Sequence, residues 1–191
     1  MLSACLVIRN EIKRLPQLIT HLRQIVDEIV VVDQDSTDGS LDYATKYADI
    51  VVMDDHTGYA CSSRRIAEDF ANGDWILVID ADEFVTPHFQ AEIPNLIKRT
   101  DVDGYLCCFA HTNGKADIKN IDKLLSEHEY SKPYIYRLFK KEKAEYFNKL
   151  HGGVHIPHNA KVVNLWYIGI LEVKSTEESV EDLVRYESIK E

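Results

Sequence analysis

The chain lacks most of what would commit it to a nucleic acid, a membrane or a disulfide framework. Lysine and arginine number 22 against 32 aspartates and glutamates, a formal net charge of −10. Non-specific nucleic-acid binding needs a basic face that displaces counterions from phosphate, so no nucleic-acid partner is expected. Cysteine is scarce: Cys5, Cys61, Cys107 and Cys108 show no C-x-x-C spacing, and three of the four sit in apolar or strand-like stretches. That usage fits reduced core thiols rather than a disulfide scaffold. No apolar run reaches the length of a bilayer span, and the opening "MLSACLVIRNE" is apolar for too short a stretch to act as a secretory signal. The expected location is therefore cytoplasmic, either free or associated peripherally with the cytoplasmic face of a membrane, alone or as one part of a larger multidomain protein. Internal repeats and low-complexity tracts are also absent, and 191 residues suffice for one domain with its own core.

What the chain does have is a series of short runs rich in valine and isoleucine. "SACLVI" (3–8), "EIVVVD" (28–33), "DIVVMD" (49–54) and "DWILVID" (74–80) each read as a strand buried on both faces. Between the first two, Leu18, Ile19, Leu22, Ile25 and Val26 recur at helical spacing behind Pro16; residues 38–47 and 58–72 supply helices for the next two gaps. Strand and helix in alternation predict a parallel sheet covered on both sides. Later, Thr86-Pro87 opens a helix that Pro94 should break or kink, and "GYLCCFAHT", "YIYRLFK" and "KVVNLWYIGILEV" read as strands. The polar stretch 113–132 is expected to be a mobile or substrate-facing loop, and Ser175 with Glu178 to box the start of a last helix.

Ligands of an open parallel sheet bind beyond the carboxyl ends of its strands. Those ends carry Arg9, Asn10 and Glu11; Asp33, Gln34, Asp35 and Ser36; Asp54 and Asp55; and Asp80, Asp82 and Glu83. "DQDSTDGS" also suits an Asx-rich turn leading to a helix cap, and Asp54 and Asp55 read as solvated loop acids. The trio in "GDWILVIDADEF" is different. Three carboxylates at the end of a wholly apolar strand repel one another and require a neutralising cation, for which a divalent metal is the candidate.

Three blocks in order, "SACLVIRNE", "IVVVDQDSTDGS" and "GYACSSRRIAEDFANGDWILVIDADEF", resemble the nucleotide-sugar-binding half of family 2 glycosyltransferases with the GT-A fold, above all those of bacterial lipopolysaccharide type. The resemblance covers about residues 1 to 90 and continues more thinly to "GILEVKSTEESVEDLVRYE". It implies an α/β fold with a Rossmann-like, mostly parallel central sheet, helices on both faces and a smaller mixed C-terminal part. One domain would span 1–191, with 1–100 as the nucleotide-sugar half and 101–191 as the acceptor side.

The implied activity is a metal-dependent, inverting transfer of a sugar, of hexosyltransferase type, from a nucleotide-diphosphate sugar to a glycan, lipid-linked or protein-linked acceptor. By the same resemblance Asp33 hydrogen-bonds the base, the backbone of Ile8, Arg9 and Asn10 lines the nucleoside pocket with Glu11 close by, and Arg64 approaches the base or diphosphate. Asp80, Ala81 and Asp82 form the D-x-D motif, whose first acid contacts ribose or metal and whose second binds Mn²⁺ or Mg²⁺. His151 and His155 in "LHGGVH" are further candidate metal ligands.

The chain also departs from that pattern. Relatives carry His-Glu where His155 precedes Ile156 and His151 precedes Gly152, and Glu172 follows Ile170-Leu171 where "ilH" is common. Asp82 and Glu83 are the candidate catalytic acids. The general base that inversion requires stays open among Glu83, Asp117, Asp122, Glu127, Glu129 and Glu172. The departures leave room for a degenerate GT-A fold serving binding or assembly. "DADEF" also invites comparison with haloacid-dehalogenase-type phosphatases, but Phe84 stands where Thr or Val belongs, and the motif falls on the fourth strand. A receiver-type signalling domain fits the length and the polar insert poorly.

Overall fold

The computed structural model describes residues 1–55, 61–113, 134–146, 154–157 and 159–174. The four Val/Ile runs become β1 (Leu2–Ile8), β2 (Glu28–Asp33), β3 (Ile50–Met53) and β4 (Trp75–Val78). Between them lie α1 (Leu15–Leu22), α2 (Ser40–Tyr47) and α3 (Cys61–Phe70). β5 (Glu83–Val85), α4 (Pro87–Leu96), β6 (Gly104–Asn113), β7 (Tyr134–Lys140), β8 (Glu145–Tyr146), β9 (Val154–His155) and β10 (Val162–Lys174) follow. An eight-stranded sheet runs β3-β2-β1-β4-β7-β6-β10-β5, and β8 with β9 forms a separate two-stranded ribbon.

β3, β2, β1 and β4 are mutually parallel, in register Ala4 to Ile29 and Ala4 to Leu77 at the centre. Side chains alternate across this sheet. Leu2, Ala4, Leu6, Ile29, Val31, Trp75 and Leu77 enter one apolar layer with α1 and α4; Cys5, Val30, Val32, Ile76 and Val78 enter the other with Ala67 of α3 and Ala71 just beyond it. Both faces are covered, which explains why these strands read as continuous apolar runs rather than alternating ones. β7 then runs antiparallel to both β4 and β6, so the far half of the sheet is mixed. Because the chain steps from β1 out to β3 and returns to β4 on the other side of β1, the strand order reverses between β1 and β4. That reversal is where open α/β sheets take ligands.

Two local expectations need correction. α1 ends at Leu22, so Ile25 and Val26 pack on the core from the turn beyond it. Pro94 does not break α4, which runs from a Thr86 cap, bonded to the Phe89 N–H at 3.3 Å, through to Leu96. Proline there removes only the bond to Gln90, which is half-buried near the surface, and Ile97 still closes the helix on Ile93 at 3.0 Å. The thiols of Cys5, Cys107 and Cys108 are free and buried, as core cysteines should be. The polar insert 114–133, the last helix and His151 lie outside the described residues. Among the described residues, no helix is long and apolar enough to cross a membrane.

α3 also carries an anomaly on its buried side. Glu68 is 3% exposed, and its Oε1 has no hydrogen-bond partner among the described residues. Burial pushes its carboxyl up to about 8, with Asp69 adding to the rise and Arg64 and Lys141 opposing it. A folded carboxyl that keeps its proton to about pH 8, against 4.5 for the unexceptional group, makes folding cheapest below pH 4.5 and progressively costlier as pH rises towards 8. At 1.36 kcal/mol per unit the cost is bounded by roughly 5 kcal/mol and is reduced by local relaxation. Glu68→Gln should therefore flatten the loss of stability between pH 5 and 8 in urea melts, by on the order of 1–3 kcal/mol at the upper end. Parallel pH profiles for the two proteins would contradict this account.

Candidate functional site

The loops after β1 and β2 are built against each other. Asn10 and Asp35 adopt left-handed φ values of 58° and 56°, which Asn and Asp tolerate better than most residues. The Asn10 N–H donates to Ser36 Oγ at 2.9 Å, and Asn10 Oδ1 accepts from the Thr37 N–H at 2.8 Å. Glu11 N–H donates to Ser40 Oγ and Ile12 N–H to Asp38 Oδ2, at 2.8 and 3.1 Å. Ile8 is buried, its carbonyl taken by the Gln34 N–H at 2.9 Å, while Arg9 is exposed at the rim. "DQDSTDGS" is thus the Asx-rich turn its composition predicts, with the Ser36 N–H donating to Asp33 Oδ1 at 2.9 Å. The turn does not exhaust Asp33, however. The residue is 1% exposed, and Oδ2 is buried with no hydrogen-bond partner among the described residues. An orphaned carboxylate oxygen at a strand end is costly unless something arrives to use it.

A second chain of bonds ties β2, β3 and α3. Gln34 Nε2 donates to Ser63 Oγ at 2.7 Å, and Ser63 Oγ donates to Asp54 Oδ2 at 2.6 Å. Asp54, read from sequence as a solvated loop acid, is instead half-buried and anchors α3; Asp55 is exposed. With Ser63 fixed, the next residue, Arg64, is held beside the end of β4.

There the acidic trio forms a closed turn. Glu83 N–H donates to the Asp80 carbonyl at 3.0 Å, and Glu83 Oε2 accepts the Asp80 N–H at 2.8 Å. The Asp82 carbonyl accepts from the Val173 N–H of β10 at 2.8 Å, Ala81 is buried, and the Asp82 side chain is half-buried. The cations that meet this turn in the structure are guanidiniums. Arg64 donates to Asp80 Oδ1 at 2.5 Å, and Arg137 of β7 donates to Asp80 Oδ2 at 3.3 Å and to Glu83 Oε1. Burial works to raise the Asp80 carboxyl, but Arg64 and Arg137 overcome it and hold the group well below the usual range. Glu83, 2% exposed, is pushed up by burial and by Asp80 against the pull of Arg137.

Arg137 carries no sequence motif; its signal is a lone arginine inside an otherwise apolar strand. Ser63 was equally unmarked, whereas Gln34, already placed on the rim by its position after β2, proves to be fixed there by its bond to Ser63. Glu172 of β10 lies directly opposite Glu83 of β5 in an antiparallel pair, so the two side chains leave the sheet on the same face. His155 sits in β9, paired with Glu145 of β8 in the small ribbon. Among the described residues, no three His, Cys, Asp or Glu side chains converge to hold a metal. The acid turn offers the Asp82 carboxylate as a hard oxygen donor, with Asp80 already engaged by two arginines. That donor set fits Mn²⁺ or Mg²⁺ only as a partial shell, which such cations complete with phosphate and water.

Comparison with known proteins agrees with this architecture. Over 161 residues the chain is 29% identical to an uncharacterized glycosyltransferase of Rickettsia felis, a match covering 81% of this chain and 53% of the relative. The chain thus spans about half the length of such relatives. Among solved structures, the 1–349 fragment of Staphylococcus aureus TarS in complex with UDP superposes with a TM-score of 0.63 at 18% identity, covering 94% of this chain and 62% of that one. A Pyrobaculum calidifontis mannosyltransferase in complex with GDP-Man and Mn²⁺ gives 0.60 at 15% identity, over 91% of this chain and 56% of that one. At these identities the structures establish a shared fold, that of GT-A glycosyltransferases. The family model described as glycosyl transferase family 2 matches residues 3–159, and to that family the chain belongs.

Proposed function

We propose that the chain forms the nucleotide-sugar-using part of a metal-dependent, inverting glycosyltransferase that acts on a hydroxyl of a glycan, lipid-linked or protein-linked acceptor. The observation that carries the reading is the buried, unpartnered Oδ2 of Asp33 at the end of β2, beside the strand-order reversal. A carboxylate with one oxygen committed to its own turn has one left for a ring N–H of a base. Uracil, whose pairing edge carries a single N–H donor, matches that one oxygen, whereas guanine brings two donor groups, one of which this oxygen would leave unmatched. The UDP and GDP-Man bound to the two structural neighbours are the corresponding ligand classes.

The diphosphate is assigned to the space between the loop after β1 and the acid turn, where Arg64 supplies positive charge. A divalent cation held by Asp82, and by Asp80 to the extent that its arginines permit, would offset negative charge on the departing diphosphate oxygen. His151 and His155 stay in the reading as further ligands to be tested. In the transfer itself, the acceptor oxygen bonds to the anomeric carbon from the face opposite the diphosphate, and the bond to the diphosphate oxygen breaks. The acceptor proton passes to a carboxylate. Of the acids considered for that base, Glu83 and Glu172 fall among the described residues, and the strand of Glu172 passes alongside the acid turn, since its neighbour Val173 bonds Asp82. Glu83 is sealed inside the turn, which suits it to holding Arg137 rather than to meeting an acceptor.

Three outcomes follow. In calorimetry with UDP, GDP and Mn²⁺, UDP should bind more tightly, and Asp33→Ala should weaken it by about 1.5–3 kcal/mol while leaving the metal dependence in place. Unchanged affinity in that variant would return "DQDSTDGS" to a purely structural turn. Asp82→Ala should remove the Mn²⁺-dependent part of the affinity at unchanged melting temperature; equal binding with and without Mn²⁺ in the unaltered protein would contradict the metal role. Glu172→Gln should leave UDP affinity intact but lower turnover by about 10²–10⁴-fold, measured as UDP release from a UDP-sugar. Normal turnover in Glu172→Gln would move the base to another acid.

A further inference from the structure

β7 is flanked on both sides by other strands, and its neighbours Leu138 and Phe139 are fully buried. Arg137, in the same strand, is 9% exposed. A guanidinium in such a place is retained at a cost, and the Arg137 Nε is buried with no hydrogen-bond partner among the described residues. Arg137 spans two carboxylates of one turn: Glu83 Oε1 and, at 3.3 Å, Asp80 Oδ2. Glu83 passes that constraint on, because its other oxygen accepts the Asp80 N–H at 2.8 Å while its own N–H closes the turn on the Asp80 carbonyl at 3.0 Å. The outer side of the turn is held separately, by the Val173 N–H on the Asp82 carbonyl. Asp82 therefore sits in a loop whose inner side meets two guanidiniums, Arg64 on Asp80 alone and Arg137, from a strand 54 residues downstream of Glu83, on both Asp80 and Glu83.

We propose that Arg137 is the positioning residue of this turn. Acting through Glu83 and Asp80, it sets the direction of the Asp82 carboxylate and so preorganises the nucleotide-diphosphate site. The inference rests on the nucleotide reading given above for its functional consequence, but not for the geometry it asserts. A pair kept only for stability could be replaced by apolar side chains of similar volume without loss. Both contacts come from one terminal nitrogen, Nη2, and lysine, whose chain ends one bond shorter, stops short of the point where the two carboxylates meet.

The test uses the full chain with Arg137→Lys, Arg137→Gln and Glu83→Gln. The lysine variant is there because the glutamine variants leave a buried charge or its partner uncompensated and threaten folding. Amide hydrogen exchange at Asp80, Glu83 and Val173 is measured beside amides of β1 and β2, together with UDP affinity in the presence of Mn²⁺. Arg137→Lys should keep its melting temperature within a few degrees, accelerate exchange at the three turn amides at least tenfold with β1 and β2 unchanged, and weaken UDP binding at least fivefold. Unaltered exchange at the turn in a folded variant would overturn the proposal, as would accelerated exchange with unaltered UDP affinity. If the unmodified protein binds neither UDP nor GDP, the function proposed above fails, while the exchange data still decide whether Arg137 fixes the turn. Uniformly faster exchange across β1 and β2 would reduce Arg137 to a structural role and also count against it.

Discussion

β4 is buried on both faces, and the site follows from that constraint. Trp75 and Leu77 fill the layer under α1 and α4, while Ile76 and Val78 fill the layer under α3. No polar side chain can be placed along such a strand without an unpaired group in an apolar layer, so its chemistry is expelled to its carboxyl end. β1 and β2 are apolar in the same way beyond their starts, where the buried Ser3 and Glu28 bond each other at 2.5 Å. Three parallel strands with apolar interiors thus deliver Asn10, Asp33 and Asp80 to one rim, on rigid supports. The loops that carry them are stiffened by the Asn10–Ser36 and Gln34–Ser63–Asp54 bonds rather than left to solvent.

Concentrating acids at that rim creates an electrostatic problem, which the fold meets with arginine from two directions. Arg64 comes from α3, the helix covering one face of β1 and β2, and Arg137 from β7, the strand beside β4. Arg64 meets one oxygen of Asp80, while Arg137 reaches the other oxygen and Glu83 through a single terminal nitrogen, Nη2. The arrangement holds Asp80 ionised in a buried setting and ties up Glu83, so that Asp82 is left as the acid of the trio best placed at the edge. The motif's outer member, Asp82, is half-buried at the edge of the turn.

Much of this was legible in the sequence for identifiable reasons. The Val/Ile runs have no competing interpretation at their length, and β2 begins and ends where its run does, at Glu28 and Asp33. Thr86-Pro87 marked a helix start because cap and first-turn chemistry are local. The acid trio announced itself by standing beside an apolar strand, and its need for a cation was correctly inferred. The identity of the cations in the structure was not, because Arg137 reaches Glu83 across 54 residues of chain and nothing local to either residue records the pairing. Asp54 was misjudged for a related reason, since its partner Ser63 lies across a loop on the next helix. Pro94 shows the limit of a breaker rule applied without position, because near the end of a helix its missing N–H costs a single bond.

The two halves of the sequence meet in the acid turn, and they do so because β10 is irregular. Its pairing with β6 slips between Asn164 and Ile168 and again between Ile168 and Ile170. Such bulges bend a strand and increase its twist. Beyond them, Ile170, Leu171 and Glu172 also pair with β5, and Val173 reaches the Asp82 carbonyl. The turn is therefore held by α3, β7 and β10 together, elements drawn from both halves of the chain. The same arrangement removes the phosphatase alternative suggested by "DADEF". A nucleophilic first aspartate needs an open oxygen, whereas both oxygens of Asp80 are taken by guanidiniums, and the family to which the chain belongs is a different one. A D-x-D sequence thus takes its meaning from what surrounds its first residue. With both of its oxygens bonded to guanidiniums, Asp80 serves the turn as a structural anion.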